Sequence, residues 1–448
     1  MARPGDQSGN WHRRVWALAA PIMLANLTTP LLGAVDTAVV GHLPDPRFIG
    51  GVAVGSLIFS FLFWGFGFLR MGTTGFTAQA FGAGNTAELR AALLRPLVLA
   101  GGFGLLIILL QAPVRSFALW AVDASPAVSG EAAAYFDVRI WSAPAALTNF
   151  TVLGWLLGVQ RARTALLLQI VLNGINIVLD LVFVLGFGWG VAGVAWATLV
   201  AEVTAALLGI GIVLHSLGRL PDREDLKRLL ERGPLIALFK VNTDIFLRTI
   251  MLLLAFGVFT SQGAGLGDLT LAGNAVLLQF QTVIAHGLDG LAHAVEILAG
   301  GAYGAKNRRT FRQAVMICGL WSLAAAVLLS LIFAALGPLI IALFTDIVAV
   351  REAAGSYLWW VVLSPLVSVW SYLLDGVFIG ATRTAAMRNA MVLSLGCFLA
   401  ATWMLTPMLG NHGLWLSFTI FMIARAITLG LYYPALERSA TDEKAGKV

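Results

Sequence analysis

Residues 172–186 read LNGINIVLDLVFVLG. The stretch is as apolar as a bilayer-crossing helix, yet it carries Asn173, Asn176 and Asp180. At 3.6 residues per turn, spacings of three and four set all three on one helical face. An ionisable group facing hydrocarbon costs about 3 kcal/mol or more on insertion scales. That face must therefore look into protein or water.

The rest of the chain has the same character. Of its 448 residues 59% are hydrophobic and 12% charged, and its mean hydropathy is positive, which excludes a soluble globular domain of this size. Apolar runs long enough to cross a hydrocarbon core recur from end to end. Lipid leaves backbone polar groups no partner but their own helix, and the alternating strands of a barrel are missing from the sequence. The fold class expected is an all-α membrane protein of twelve transmembrane helices. They fall at 14–42, 49–78, 92–114, 130–158, 164–187, 190–216, 234–262, 269–300, 311–337, 350–380, 385–407 and 411–436. The first is too long for the core of a cleavable signal and holds an acid, so it is read as retained.

Of the 29 Lys and Arg residues, only Arg47, Arg115 and Arg351 sit in the loops opposite the termini. The bias puts both termini in the cytoplasm of a multi-pass bacterial inner-membrane protein. The net charge of +6 then belongs to the cytoplasmic, lipid-facing surface, and no nucleic-acid partner is expected. Cys318 and Cys397 lie in spans and read as apolar packing residues, with no metal site and no disulfide.

The chain also repeats itself. IGGVAVG and AFGAGN (49–55 and 80–85) align without a gap to LAGNAVL and AYGAKN (271–277 and 302–307), an offset of 222 residues. The same offset pairs Tyr135 with Tyr357, Gly154 with Gly376, Gly158 with Gly380 and Arg161 with Arg383. Two six-helix lobes of like orientation follow, at 1–216 and 234–448, joined by a charged cytoplasmic linker at 217–233.

Intramembrane polar residues cluster twice. In the first lobe Asp36 lies roughly 33 Å along span one from Arg14, Asp180 about 24 Å along span five, and Thr198 about 12 Å below the outer end of span six. A shared pocket of Asp36, Asn176, Asp180 and Thr198 is expected, able to carry a proton or to hold Na⁺ through oxygen ligands. Asn149 of span four is a candidate to line the same cavity, and Asn173 to line it or to bond helices together. In the second lobe Lys240, Asp244 and Arg248 form an i, i+4, i+8 ladder in KVNTDIFLR, while His286, Asp289, His293 and Glu296 occupy an arc of about 80° on span eight. The cations of span seven are expected to face the acids of span eight in a network that pairs charges or handles substrate and protons. Asp375 near the inner end of its span, together with Lys240, Asp244 and Arg248, is a candidate structural or gating charge. His286, Asp289 and Glu296 are candidate cavity residues.

The sequence resembles the multidrug and toxic compound extrusion (MATE) family in its DinF-like branch. The likeness rests on PLLGAVDTAVVGHL (30–43), AFGAGN (80–85), NIVLD (176–180), NTDIFLRT (242–249), LDGLAHAVE (288–296) and LDGVFIGATRT (374–384). The resemblance implies two pseudo-symmetric six-helix lobes in a V, monomeric, exporting amphipathic, often cationic compounds against an inward flow of H⁺ or Na⁺. No enzyme activity and no cofactor beyond the coupling ion is implied. In this branch the ion-coupling residues match Asp36, Asn176, Asp180 and Thr198; a related branch binds its cation among acids of the other lobe.

Two other readings compete. A lipid-linked oligosaccharide flippase could share the fold, but it would favour Arg and Lys for pyrophosphate where this cluster is more acidic. An intramembrane metalloenzyme could use His286, Asp289 and His293, but no HExxH-like motif sets a general base beside them.

Overall fold

The computed structural model of the chain describes residues 10–43, 45–218, 227–229 and 231–441. Twelve helical spans run through it: Trp11–Val40, Pro46–Gly82, Thr86–Leu109, Pro126–Gly158, Ala162–Gly186, Gly190–Leu217, Arg232–Gly265, Asp268–Gly304, Arg308–Phe344, Val348–Gly380, Thr384–Leu409 and Asn411–Ser439. Ten are long and apolar enough to cross a membrane by length and composition. The other two, spans one and eight, carry Asp36 and the series from His286 to Glu296. A further helix, Gln111–Val122, lies between spans three and four, where hydropathy alone marks nothing.

Three spans depart from regular helix. Span two is interrupted between Trp64 and Phe68, in the glycine-bearing WGFGF. Span four passes through a 3₁₀ turn at Ile140–Ser142. Span five widens into a π-turn, Leu181–Gly186, directly after Asp180. Such wide turns are inserted where a helix must aim a side chain, and they concentrate at functional positions.

The internal repeat is a structural one. Gly154 in span four lies against the Arg70 carbonyl of span two, and Gly376 in span ten lies against the Ala292 carbonyl of span eight. Gly158 approaches the Ala78 nitrogen as Gly380 approaches that of Gly300, and Gly51 approaches Ala132 as Gly273 approaches Ala354. Every pair keeps the sequence offset. So do the punctuation marks: Asn85 caps span three by accepting from Glu88 N–H at 3.0 Å, and Asn307 caps span nine by accepting from Thr310 N–H at 3.0 Å. Gln160 and Thr382 both take left-handed φ, 62° and 52°. Two six-helix lobes of one design result.

Contacts divide the chain into two compact units, one drawn from Leu24–Phe81 and Asn85–Phe239, the other from Met1–Met23, Gly82–Gly84 and Lys240–Val448. The beginning of span one counts with the second unit, where Trp321 Nε1 donates to His12 Nδ1 at 3.0 Å and its ring meets Trp16 edge-on. The first unit packs Phe59, Tyr135, Phe136 and Trp155 at its centre, and Trp155 Nε1 donates to the Leu89 carbonyl at 3.0 Å. The second centres on Phe259, Phe280, Phe398, Trp415 and Phe418. There Asn274 Oδ1 accepts from both Asn411 Nδ2 and Trp415 Nε1 at 2.9 Å, so this buried polar group has its partners. Span nine turns Leu320, Leu328, Leu331, Leu339 and Leu343 outward, a lipid-matched face that would be an aggregation site in water.

The charged linker expected at 217–233 lies in part outside the described residues. Its described portion touches the first unit, where buried Arg95 donates to the Arg228 carbonyl at 2.9 Å and to Glu88 at 2.6 Å.

Candidate functional site

Asp36, Asn176, Asp180 and Thr198 converge within the first unit. All four are buried, Asn176 and Asp180 completely. The i, i+4 spacing in span five stacks Asn176 beneath Asp180, and Thr198 arrives from span six. In the amide orientation its neighbours require, Asn176 Nδ2 donates to Asp180 Oδ2 at 2.9 Å. Its Oδ1 accepts from the Thr198 backbone N–H at 3.1 Å and lies 3.0 Å from the hydroxyl. The carboxyls of Asp36 and Asp180 hydrogen-bond to each other. Two carboxyl groups can do this only through a proton, since an ionised carboxylate accepts and cannot donate. Such a contact can take up one proton in a setting closed off from bulk water.

Asn149 and Asn173 behave differently. Asn149 Nδ2 donates to the Glu202 backbone carbonyl at 3.0 Å, tying span four to span six, and its Oδ1 is buried without a partner. Asn173 Oδ1 accepts from Gln169 Nε2 at 3.1 Å, a bond within span five, and its Nδ2 has no partner.

Two charged residues that the reading by motif passed over sit beside this pocket. Arg139, in span four, pairs with Glu202 of span six at 3.5 Å and donates to the Tyr135 hydroxyl. Its guanidinium lies over the rings of Phe59 at 5.1 Å and Tyr135 at 5.6 Å. It also acts electrostatically on both Asp36 and Asp180. A helical signal was available: Glu202 stands one turn from Thr198 and Arg139 one turn from Tyr135.

Comparing the lobes shows the pocket to be peculiar to the first. At the repeat offset, Asp36 corresponds to Val258, Arg139 to Val361, Asn176 to Phe398, Asp180 to Thr402, Thr198 to Ile420 and Glu202 to Ala424. The second unit is uncharged where the first is charged.

Its own charges are arranged otherwise, and not as the facing of spans seven and eight predicts. Asp244 accepts from Arg388 at 2.6 Å and from the Thr384 hydroxyl at 3.0 Å, both at the start of span eleven. Arg248 pairs with Asp375 of span ten, whose Oδ2 also accepts from Arg425 of span twelve at 2.7 Å. The ladder of span seven thus finds its ion-pair partners in spans ten and eleven, and not among the acids of span eight, because the packing of the helices sets which charges come within reach. Lys240 is exposed. In span eight His293 Nδ1 lies 3.1 Å from Glu296 Oε2, and His286 bonds to its own helix at the Thr282 carbonyl, 2.8 Å away. Asp289 lies within electrostatic reach of Tyr372. Among the described residues no three His, Cys, Asp or Glu side chains gather as a metal ion would need.

Comparison with known proteins agrees with this architecture. The MatE family model matches residues 21–182 and 245–404, once in each lobe. The chain is 44% identical to DNA damage-inducible protein F of Escherichia coli (strain K12), over 96% of its own length and 93% of that protein's. It is 24% identical to multidrug resistance protein MdtK of Edwardsiella ictaluri (strain 93-146), over 95% and 96%. A crystal structure described as MATE in the bent conformation superposes with a TM-score of 0.85 at 20% identity, covering 96% of this chain and 97% of that one. With the fold, the repeat and these matches in agreement, the chain belongs to the MatE family of multi-pass membrane transporters and falls beside DNA damage-inducible protein F within it.

Proposed function

We propose that this protein is a secondary antiporter of the bacterial inner membrane, with both termini cytoplasmic, that exports amphipathic or cationic small molecules in exchange for inward H⁺. The observation that supports the reading is the buried contact between the carboxyl groups of Asp36 and Asp180 in the first unit. Gain or loss of that proton changes the charge of a buried, poorly solvated pocket by one unit, a large perturbation where the surroundings screen weakly. Asp244 and Asp375 of the second unit are already held by arginines.

In the cycle, a proton from outside neutralises the pair and lowers the negative charge of the pocket, and a cationic compound leaves. Return to the inward-facing state releases the proton, and the charge restored to the pocket draws in the next cation. One proton moving down the membrane potential supplies about 2.3 kcal/mol per 100 mV. That sustains a solute gradient of more than tenfold. Substrates of this class fit the multidrug resistance protein among the relatives.

The test is dye or drug uptake by purified protein in liposomes, with pH and Na⁺ gradients imposed separately. An imposed ΔpH drives wild-type uptake, and Asp36→Asn and Asp180→Asn each lower it by at least about tenfold, the scale of losing a charge-assisted interaction. Transport at the wild-type rate by both variants refutes the assignment.

A further inference from the structure

Within the pocket, charge and hydrogen bonding are unevenly distributed. Arg139 engages Glu202 and Tyr135 while its Nε is buried without a partner. Asn149 Oδ1 is also buried without a partner, and Glu202 and Asp180 are each more than nine-tenths inaccessible. One cation therefore acts on three carboxyl groups while held by fewer bonds than a guanidinium can make. Arg139 reaches Glu202 directly, and its charge acts on both aspartates. The titratable groups that face it are Asp36 from span one, Tyr135 from span four, Asp180 from span five and Glu202 from span six.

We infer that Arg139 is the tethered counter-cation of the proton site, turning from Glu202 to the Asp36/Asp180 pair when the pair gives up its proton, and that it thereby bars Na⁺ from that pair. The inference rests on the coupling role proposed above for the two aspartates. A guanidinium fixed to the pocket wall is present at an effective concentration in the millimolar range or higher, so it pre-empts a soluble cation for the same carboxylates. Its charge also disfavours a second cation nearby, by about a hundredfold at roughly 6 Å and an effective dielectric constant near 20. A proton escapes the competition differently. It is held in an O–H bond shared by the two acids, and the neutralised pair needs no counter-cation. When Arg139 turns to the pair, Glu202 loses its partner and becomes the carboxylate that receives a cationic substrate.

The experiment measures ²²Na⁺ binding to purified full-length protein, alongside transport. Wild type shows no saturable Na⁺ binding in the millimolar range, Arg139→Gln gains it, Arg139→Lys does not, and Asp36→Asn in the Arg139→Gln background removes it again. Size-exclusion chromatography and thermal unfolding establish that each variant is folded. Equal Na⁺ binding by wild type and Arg139→Gln, or none by folded Arg139→Gln, overturns the inference. Should Arg139→Gln fail to fold, wild-type liposomes decide: a Na⁺ gradient at equal pH drives no export, and export so driven overturns the inference. Failure of the underlying coupling reading shows elsewhere, as ΔpH-driven export surviving in Asp36→Asn whatever the Na⁺ result.

Discussion

Asp180 is fully buried, and its Oδ2 has a donor in Asn176 while its Oδ1 meets no amide, hydroxyl or backbone donor. The pocket's chemistry lives in such half-satisfied groups, because an acid with every lone pair bonded has no reason to exchange a proton. Asn176 and Thr198 differ in what they supply. Asn176 provides the side-chain donor to Asp180, whereas Thr198 also touches Asn176 through its backbone N–H, which any residue retains. Asn176→Leu leaves the buried carboxyl without that donor and costs about 1–3 kcal/mol. Thr198→Val removes only the hydroxyl, at about 1 kcal/mol. In transport assays Asn176→Leu loses at least about tenfold in coupled uptake, and Thr198→Val severalfold less than that. The opposite order would mean that the hydroxyl, and not the amide, positions the acid.

Helix by helix, the scaffold depends on close approach. A Cβ built on Gly376 lies 2.8 Å from Val295 Cγ1 and closer still to the Ala292 carbonyl, and one on Gly380 lies 3.0 Å from the Gly300 nitrogen. Backbone atoms cannot turn aside, so Gly376→Ala and Gly380→Ala each force spans eight and ten apart. Each destabilises by about 1–3 kcal/mol, the usual cost of overpacking. A methyl group added at Gly396 of span eleven meets nothing within 4 Å. Gly396→Ala is neutral or stabilising by up to about 1 kcal/mol, since alanine is the better helix former. Thermal unfolding in detergent reads all three, and an equal loss for all would show that these glycines serve flexibility and not contact. Periodicity predicts the spans themselves, because hydrocarbon demands internally bonded helices over a known length. The π-turn after Asp180 and the break near Gly65 escape that reading. Both are local concessions to packing, and a hydropathy window averages over them.

For the molecule as a whole, the repeat and the charge bias together make a topological statement that can be checked directly. In a background lacking Cys318 and Cys397, single cysteines are introduced as Ala83→Cys between spans two and three and Ala127→Cys at the outer start of span four. Both positions are exposed. An impermeant maleimide added to intact spheroplasts labels the Ala127→Cys protein and leaves the Ala83→Cys protein unlabelled until the membrane is opened. The reverse pattern would place the termini outside. The number of spans, their orientation bias and the two-lobe repeat were all legible in the chain, because lipid thickness, loop charge and a constant offset act on residues close together or on matching stretches.

The four residues that meet in the first unit's pocket were also legible, since carboxylates and amides in apolar spans are costly enough to stand out individually. Arg139 and Glu202 were not, nor were the true partners of Asp244 and Arg248. An isolated charge in a span announces only that it needs a partner. Which of five or six neighbouring helices supplies that partner depends on the rotation and packing of each, a property that no window of sequence contains. Sequence alone determined the twelve spans and the costly polar residues within them; tertiary structure decided which charges meet, because pairing across 60 or more residues is set by how rigid helices pack side by side.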